Sequence, residues 1–446
     1  MEQRATGEAH GQAAAAGAVA GATVEFDTEV VMLLVAALRG AVKFESAAVG
    51  SENLLVALVM GDSDAGAAIA PGMRKAGGIG GLVSGRGGRG WASADEVDTA
   101  DADRVDAEGA GLGEDAGESY EITAAWREAR WRFGLGSRRS AEVSGRELPG
   151  MTGALRKCLL LALKAARAEG SISAGCRHVA RALLELPDSR AREALVVERL
   201  DLNAAAGALD TLDANAAAEA KGSESFGVTL LRRAGTLGKS GNRLTRALTW
   251  WTSGSGEYGS PVLFAVSVEA GRQAVRCGRA VAEPVDLVLG ILALDRALAI
   301  AGQSLPEELA DVNTAAALLR RHGARQDSMV RSASATTVAE TTDAVLLSES
   351  AEQAKAVALL TAAEQGSATV GTVHLLAALL DQTQTQTSTQ PQIPTPTEPR
   401  TPTPTRTETA AGAKTADPAD TVVGLLTAGD VDIAALRADL PRRPGA

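Results

Sequence analysis

Apolar residues recur at intervals of three and four along most of the chain, and glycine-rich turns separate the resulting stripes. Between residues 26 and 42, for example, the stripe consists of Val30, Leu33, Leu34, Ala37, Leu38 and Ala41. This spacing is typical of an amphipathic helix with one buried face. Ala and Leu supply most of the apolar residues, and aromatic residues make up only 3% of the chain, which favours helices over strands. We therefore predict an all-α protein.

One stretch, Val49–Leu58, returns near the other end of the chain as Val370–Leu380. Each combines a small-residue turn, a hydroxyl side chain suited to an N-cap, and an apolar helix. In four places a turn residue precedes the start of such a helix by the same eight residues. The turn residues are Glu45, Gly170, Gly278 and Gly366, and the helix positions are Asn53, His178, Asp286 and His374. A loop length that is kept four times indicates an internal repeat.

The repeat predicts two tandem domains, each built from two helical units. The first domain spans residues 24–212, with units 24–82 and 148–212 and a linker at 83–147. A second linker, residues 213–259, leads to the second domain, residues 260–440, with units 260–324 and 341–440. We predict disorder in the leader, residues 1–23, and in a Thr/Gln/Pro-rich insertion at 381–420, because such compositions cannot bury a core.

The predicted linker at 83–147 contains a basic segment in which Trp126 and Trp131 stand five residues apart. Two interpretations fit this segment. It is either a short helix that folds its aromatic side onto the preceding unit, or a docking element for a partner helix.

Composition and charge exclude several classes of protein. The net charge of −11 is unsuited to nucleic acid, because neutralising phosphates requires a basic face. Cys158, Cys176 and Cys277 are far apart and odd in number, which indicates free thiols in a reducing compartment. No stretch approaches the ~18 uninterrupted apolar residues of a membrane span. We predict a cytoplasmic protein that binds neither nucleic acid nor membranes.

Catalytic motifs are missing as well. The segment Arg233–Ser240 ends in G-K-S like a phosphate-binding loop, but Arg233 stands where the first glycine belongs and no strand is predicted before it. Cys176 and His178 share a helix start, yet nothing in the sequence arranges them as a dyad. We predict no enzymatic activity, no catalytic residues, no metal site and no cofactor.

The repeated unit resembles the N-terminal domain of the Clp unfoldases, the substrate-receptor module of ClpA, ClpB and ClpC. In that family a helix that ends in glycine leads through a short loop to a V-G-T-E-H-L-L-L-A-L-L signature, and two such units form one all-α domain. Val49–Leu58 and Val370–Leu380 match this signature best. The resemblance covers residues 24–212 and 260–440 and implies two tandem Clp N-like domains, without the ATPase modules of a complete unfoldase.

The resemblance also implies candidate ligand-binding residues. In ClpC-like members the signature glutamate binds the guanidinium group of phosphoarginine, and this glutamate corresponds to Glu52 in the first unit. The other three units carry Arg177, Val285 and Val373 at that position. Phe26 and Thr28 correspond to residues that flank the family's pocket. Two simpler interpretations stay open: Glu52 stabilises the helix macrodipole, and Arg177 is a solvated surface residue.

The function that the resemblance implies is that of a non-enzymatic receptor. It would bind peptides, degradation tags or other Clp ligands, and act as an adaptor, decoy or regulator of a ClpC-type unfoldase and its protease. Two alternatives remain at this point: an interaction scaffold unrelated to Clp proteolysis, and an enzyme, such as a peptidase or nucleotide hydrolase, with an unrecognised site.

Overall fold

The computed structural model describes residues 25–73, 77–86, 90–92, 115–137, 148–219, 223–237, 260–334, 343–388 and 421–440. The predicted leader, residues 1–23, and residues 389–420 of the predicted insertion lie outside these ranges. We refer to residues 25–219 as the first half and to residues 223–440 as the second half. The first half contains unit one (residues 25–86) and unit two (148–219), and the second half contains unit three (260–334) and unit four (343–440).

The elements of the first half follow one another as β1 (Glu25–Phe26), α1 (Thr28–Lys43), β2 (Ala48–Val49), α2 (Ser51–Met60), α3 (Asp64–Ile69), α4 (Gly78–Arg86), α5 (Asp115–Ser137), β3 (Gly150–Met151), α6 (Gly153–Ala168), β4 (Ser173–Ala174), α7 (Cys176–Glu185), α8 (Arg190–Val197) and α9 (Leu202–Glu219).

The elements of the second half are α10 (Phe226–Arg233), α11 (Pro261–Arg276), β5 (Val281–Ala282), α12 (Pro284–Ile300), α13 (Glu307–Ala310), a 3-10 turn (Asp311–Asn313), α14 (Ala315–Arg321), α15 (Gln326–Ser332), β6 (Leu346–Leu347), α16 (Glu349–Glu364), α17 (Thr372–Ser388), α18 (Val422–Ala428) and α19 (Ile433–Asp439). Among the described residues, the strands are three parallel pairs of two-residue segments, and the other elements are helices. The all-α prediction is confirmed at this level.

The four units begin with the same helix. α1, α6, α11 and α16 are each 16 residues long. Each starts after an N-cap side chain that accepts a hydrogen bond from the backbone N–H three residues later. Such a cap satisfies one of the free donors of the first turn. The four caps are Asp27, Thr152, Ser260 and Ser348.

The turn that follows this helix is also the same four times. The residues predicted to form it, Glu45, Gly170, Gly278 and Gly366, all have positive φ, between 54° and 82°. Glycine adopts this conformation without a steric penalty. Glu45 is the one member of this set that has a side chain there.

A second helix then begins 24 residues after each N-cap, at Ser51, Cys176, Pro284 and Thr372. The third residue of each accepts a hydrogen bond from the backbone N–H of the residue just before the helix. The four acceptors are Asn53 at 2.9 Å, His178 at 2.9 Å, Asp286 at 2.9 Å and His374 at 3.1 Å. This cap, in which a side chain of the helix accepts from the backbone N–H before it, gives the eight-residue spacing seen in the sequence a structural reason.

The short strands connect the units in pairs. β1, before the first helix of unit one, pairs with β4, before the second helix of unit two. β3, before the first helix of unit two, pairs with β2, before the second helix of unit one. Units one and two are therefore joined by two strand pairs, and in each pair the strand before the first helix of one unit lies beside the strand before the second helix of the other. In the second half, β6 of unit four pairs with β5 of unit three in the same way.

Each half has its own aliphatic core. Residues from Phe26 to Leu209 form one buried cluster, and residues from Val228 to Leu440 form another. Leu and Ala dominate both clusters, as expected for helices that pack closely.

Both predicted linkers contain helices that belong to these cores, so their description as linkers is corrected. α5, inside residues 83–147, buries Ile122, Trp126 and Phe133 in the first core. α10, inside residues 213–259, buries Val228 and Leu231 in the second core. In addition, α17 runs to Ser388, into the predicted insertion at 381–420. Amphipathic spacing in these stretches was obscured by neighbouring Gly, Ser and Arg residues.

Candidate functional site: an apolar pocket on unit one

Glu52 is the second residue of α2, and its side chain faces a neighbouring helix. The residue is only 3% exposed. Its Oε1 atom lies 3.4 Å from Nη1 of Arg190, at the start of α8 in unit two. Its carboxylate also lies against Gly50, where a Cβ atom would come within 2.1 Å of Oε2. Glu52 therefore joins unit one to unit two, and it stands in the first turn of a helix, where a negative charge is favourable.

Phe26 and Thr28 occupy the other end of unit one. Phe26 is buried in the first core, and its backbone N–H donates to Oε1 of Glu121 at 2.9 Å. Thr28 is the first residue of α1 and is half-buried. Phe26 therefore presents no open aromatic face to a ligand.

Arg177 holds in α7 the position that Glu52 holds in α2. Its guanidinium group lies 2.5 Å from Glu169 and 2.7 Å from Asp213 of α9. Burial alone would lower the pKa of Arg177, but the hydrogen bonds to Glu169 and Asp213 raise it above its ordinary value. Arg177 is thus part of an ion-pair cluster on unit two, separate from Glu52.

An apolar pocket of about 260 Å³ opens on unit one, between α1, α2 and α4. Its lining consists largely of small or aliphatic residues: Ala36, Gly40, Phe44, Asn53, Val56, Ala57, Met60, Gly61, Gly80, Val83 and Ser84. Phe44 and Met60, which also line it, are 38% and 41% exposed, so they add exposed apolar surface to the pocket. The amide oxygen of Asn53 is already engaged by the backbone of Gly50, so the lining offers mainly apolar surface.

The corresponding face of unit two carries larger and more polar side chains. Residues of α1 and α2 correspond to residues of α6 and α7 that are 125 positions later, because the N-caps Asp27 and Thr152 are separated by that distance. The corresponding pairs are Ala36 with Leu161, Gly40 with Ala165, Val56 with Arg181, and Gly61 with Leu186. The small residues of unit one thus leave a pocket open, whereas larger side chains fill the corresponding space on unit two.

Helix α9 also covers this face of unit two. It has 18 residues, whereas α4 of unit one has nine. Arg181 of α7 lies 2.8 Å from Asp210 and 2.5 Å from Asp213 of α9. On unit two the longer helix and its ion pairs thus cover the surface whose counterpart on unit one remains open.

The sequence analysis missed the pocket because it followed the signature helix and its charged residue. Of the predicted site residues Glu52, Phe26, Thr28 and Arg177, none lines the pocket. The pocket could have been found by aligning unit one with unit two, because Gly40 and Gly61 correspond there to the larger residues Ala165 and Leu186.

The pocket suits apolar side chains of a peptide. Its volume is below the ~300–1,000 Å³ of typical sites for whole small molecules. Contact with apolar surface contributes roughly 25 cal/mol per Å² removed from water. One or two aliphatic or aromatic side chains therefore fit both its size and its chemistry.

Other kinds of site are not formed by the residues that the structure describes. Within those ranges, no group of three or more His, Cys, Asp or Glu side chains is arranged to hold a metal ion. Cys158, Cys176 and Cys277 are free and buried. None of the described helices combines the length and the apolar character needed to cross a membrane.

Comparison of the chain with known protein families, with curated proteins and with solved structures found no match.

Proposed function

We propose that this protein is a non-enzymatic receptor similar to the N-terminal domain of the Clp unfoldases, present as two tandem Clp N-like domains. It would bind peptides, degradation tags or other Clp ligands in the cytoplasm. In this role it acts as an adaptor, decoy or regulator of a ClpC-type unfoldase and its protease. The observation that supports the proposal most strongly is the fourfold repeat of helix, turn and capped second helix at constant spacing.

The reciprocal strand pairing of units one and two supports the same proposal. A pair of units joined in this way forms one compact all-α body, which is the arrangement that the resemblance implies. The constant part of each unit consists of caps and turns, so it leaves the exposed faces free to differ between units.

The apolar pocket is the surface on which we propose that peptides bind. A ligand with a free guanidinium group would have to displace Arg190 to reach Glu52, because Arg190 lies 3.4 Å from that carboxylate. The pocket between α1, α2 and α4 needs no such displacement. We therefore assign recognition to apolar side chains of the ligand.

A pocket-filling variant tests this proposal. In Gly40→Leu the new side chain enters the pocket, and its Cβ meets no other atom within 4 Å, so the helix can accept it. Fluorescently labelled peptides from an unfolded substrate, together with capture of a purified ClpC-type unfoldase, provide the binding measurements. We expect the wild type to bind the peptides. Gly40→Leu fills the pocket and should therefore lower peptide affinity by at least about tenfold, which corresponds to about 1.4 kcal/mol.

The matched control is Ala165→Leu, which adds a side chain at the corresponding position of α6 in unit two. It should bind as the wild type does. Absence of binding to both the peptides and the unfoldase would overturn the proposed function. Equal losses in Gly40→Leu and Ala165→Leu would show that the pocket is not the binding surface.

A further inference from the structure

Helix α11 of unit three is covered by α5 of the first half, and opposite charges make much of this contact. Arg276 of α11 is 1% exposed, and its Nη1 lies 3.1 Å from Oε2 of Glu128. Its Nη2 donates to Oε2 of Glu121. Arg272, one turn earlier in α11, lies 3.2 Å from the same oxygen of Glu128. Two arginines of one helix therefore hold two carboxylates of another.

The carboxylates of α5 lie on one face of that helix. Glu121 and Glu128 are seven residues apart, which is about two helical turns, and Ala124 lies between them on the same face. Ala124 is fully buried. Tyr120, next to Glu121, reaches the end of α11, where its hydroxyl lies 3.4 Å from Sγ of Cys277. The helix that docks on unit three thus presents a small apolar residue between two acidic ones.

Unit one carries cations at the same two positions of its first helix. Residues of α1 correspond to residues of α11 that are 233 positions later, because the N-caps Asp27 and Ser260 are separated by that distance. The corresponding pairs are Arg39 with Arg272, Gly40 with Gln273, Lys43 with Arg276, and Phe44 with Cys277. The charge pattern that holds α5 on unit three is therefore present on unit one.

On unit one these cations lie at the surface. Arg39 and Lys43 are both exposed. Nζ of Lys43 lies 5.4 Å from the centroid of the Phe44 ring, which lines the apolar pocket. Within the part of the chain that the structure describes, no carboxylate forms an ion pair with either cation. Each cation follows a lining residue of α1 by three positions, so the two flank the row of lining residues.

The position between the cations differs between the two units. In unit three it is Gln273, which is 1% exposed. In unit one it is Gly40, where a Cβ would meet no other atom within 4 Å. A side chain fills this position on unit three, whereas the pocket of about 260 Å³ stays open on unit one. A helix that fills the pocket of unit one therefore needs a larger apolar residue than Ala124 between its acidic residues.

We propose that the pocket face of unit one binds an amphipathic helix with two carboxylates, spaced as in α5, and a bulky apolar side chain between them. One carboxylate pairs with Arg39 and the other with Lys43, in the way that α5 pairs with α11. The apolar side chain enters the pocket beside Gly40, as in other helix-in-groove complexes. This inference rests on the proposed receptor function and specifies the class of peptide that the pocket selects.

The two kinds of contact contribute differently to binding. Exposed charge pairs are weak because water screens them, so burial of the apolar side chain supplies most of the affinity. The cations instead decide which apolar helices bind, since neutral residues at these positions lose the pairs and basic residues are repelled. The preference for acidic helices should therefore weaken in high salt, whereas binding through the pocket should persist.

Two synthetic helices provide the test. Both are alanine-based and carry leucine at the position of Ala124. One has glutamates at the positions of Glu121 and Glu128, and the other has glutamines there. We expect the wild-type protein to bind the glutamate peptide about fivefold more tightly in low salt, which corresponds to two exposed charge pairs. Fluorescence anisotropy measures both affinities, and the difference should shrink in high salt.

Charge reversal identifies the cations. Arg39→Glu and Lys43→Glu, combined in one protein, should remove the preference for the glutamate peptide. The same protein should prefer a third peptide with lysines at those two positions. The matched control combines Lys157→Glu and Lys164→Glu, which make the same change in net charge at exposed positions of α6 in unit two. This control should keep the preference for glutamate, and circular dichroism verifies that both proteins fold.

Three outcomes would overturn the inference. They are equal affinities of the wild type for the glutamate and glutamine peptides, a glutamate preference that survives the charge reversal of α1, and loss of this preference in the α6 control. Equal affinities would leave the proposed receptor function intact, because the apolar side chain still binds. Absence of binding by every peptide would overturn both.

A second copy of this chain is the other occupant that the face could accept. Sedimentation velocity distinguishes it from a peptide ligand. We expect the wild type and the charge-reversed protein to have the same oligomeric state. A wild-type dimer that the reversal at Arg39 and Lys43 converts to a monomer would show that the cations serve self-association, and would overturn the inference.

Discussion

Units one and two have the same frame but different surfaces. Both contain the 16-residue helix, the turn at positive φ and the capped second helix. Unit one exposes an apolar pocket beside Phe44 and Met60. Unit two fills the corresponding face with larger residues and covers it with α9. The frame depends on caps and turns, so a few exposed side chains can change the surface without changing the fold.

The second position of the second helix gives the sharpest contrast. In unit one it is Glu52, which is buried against Arg190. In unit two it is Arg177, which is partly exposed and paired with Glu169 and Asp213. The same backbone position thus supports a buried contact between units in one case and a surface ion-pair cluster in the other.

Replacing the arginine in each of these two contacts should give the largest difference in stability between them. Arg190→Ala should lower the free energy of unfolding by about 3 kcal/mol, because it leaves the buried Glu52 carboxylate without this guanidinium group. Arg177→Ala should lower it by less than about 1 kcal/mol, because its partners are partly solvated. Urea unfolding at neutral pH measures both values. Equal losses would show that the two positions do not differ in this way.

The N-caps of the first helices should differ in their response to pH. Burial raises the pKa of Asp27 to about 7, so the folded state binds a proton that the unfolded state releases above pH 3.8. Stability from this group is present at low pH and is lost as the pH rises through 7. Asp27→Ser, which imitates the neutral caps Ser260 and Ser348, should raise the free energy of unfolding at pH 8 by about 2 kcal/mol.

The same measurement at pH 5 should show a much smaller gain for Asp27→Ser. The reciprocal variant Thr152→Asp places a carboxyl group at the corresponding cap of unit two and should introduce a pH dependence of the same sign. An Asp27→Ser protein that is as sensitive to pH between 5 and 8 as the wild type would contradict this assignment.

Filling the pocket should stabilise the fold while it weakens binding. Gly40 lies inside α1, where leucine is a better helix former by about 0.8 kcal/mol, and the pocket has room for its side chain. Gly40→Leu should therefore raise the free energy of unfolding by about 1 kcal/mol. In unit two larger side chains already fill the corresponding face, so Ala165→Leu has no pocket to enter and should not stabilise the protein. Thermal unfolding followed by circular dichroism distinguishes the two.

The turn between the first and second helices should show the smallest difference. Glu45 has a φ of 54°, whereas Gly170 occupies the corresponding position of unit two. A residue with a side chain is disfavoured there by roughly 1–2 kcal/mol, and glycine loses part of this advantage through its greater freedom in the unfolded chain. Glu45→Gly should raise the free energy of unfolding by about 0.5 kcal/mol, and Gly170→Glu should lower it. Changes of the opposite sign would indicate that the Glu45 side chain contributes more than its backbone strain removes.

Local features of the fold were predictable because they depend on neighbouring residues. The eight-residue spacing marked both ends of a real structure, since Gly170 has positive φ and His178 accepts the capping hydrogen bond. The amphipathic stripes predicted the helices for the same reason. His178 and His374 take the places of Asn53 and Asp286 as acceptors in this cap, so both histidines have a structural role.

The candidate site was less predictable. Glu52 was selected through a resemblance, but its burial depends on Arg190, a residue 138 positions away. The pocket exists because several residues around it are glycines or have small side chains. A missing side chain gives no periodic signal in the sequence. Helix α5 was assigned to a linker because of the Gly-, Ser- and Arg-rich composition around it, and its carboxylates Glu121 and Glu128 have partners in the other half that the sequence does not reveal.

The sequence alone determined the helical class of this protein and the constant frame of its units, because caps, turns and amphipathic spacing act over a few residues. The tertiary structure decided which faces are open, which charged groups are buried and where the halves meet. These properties depend on side chains that are far apart in the chain, and their free energies arise only when folding removes those side chains from water.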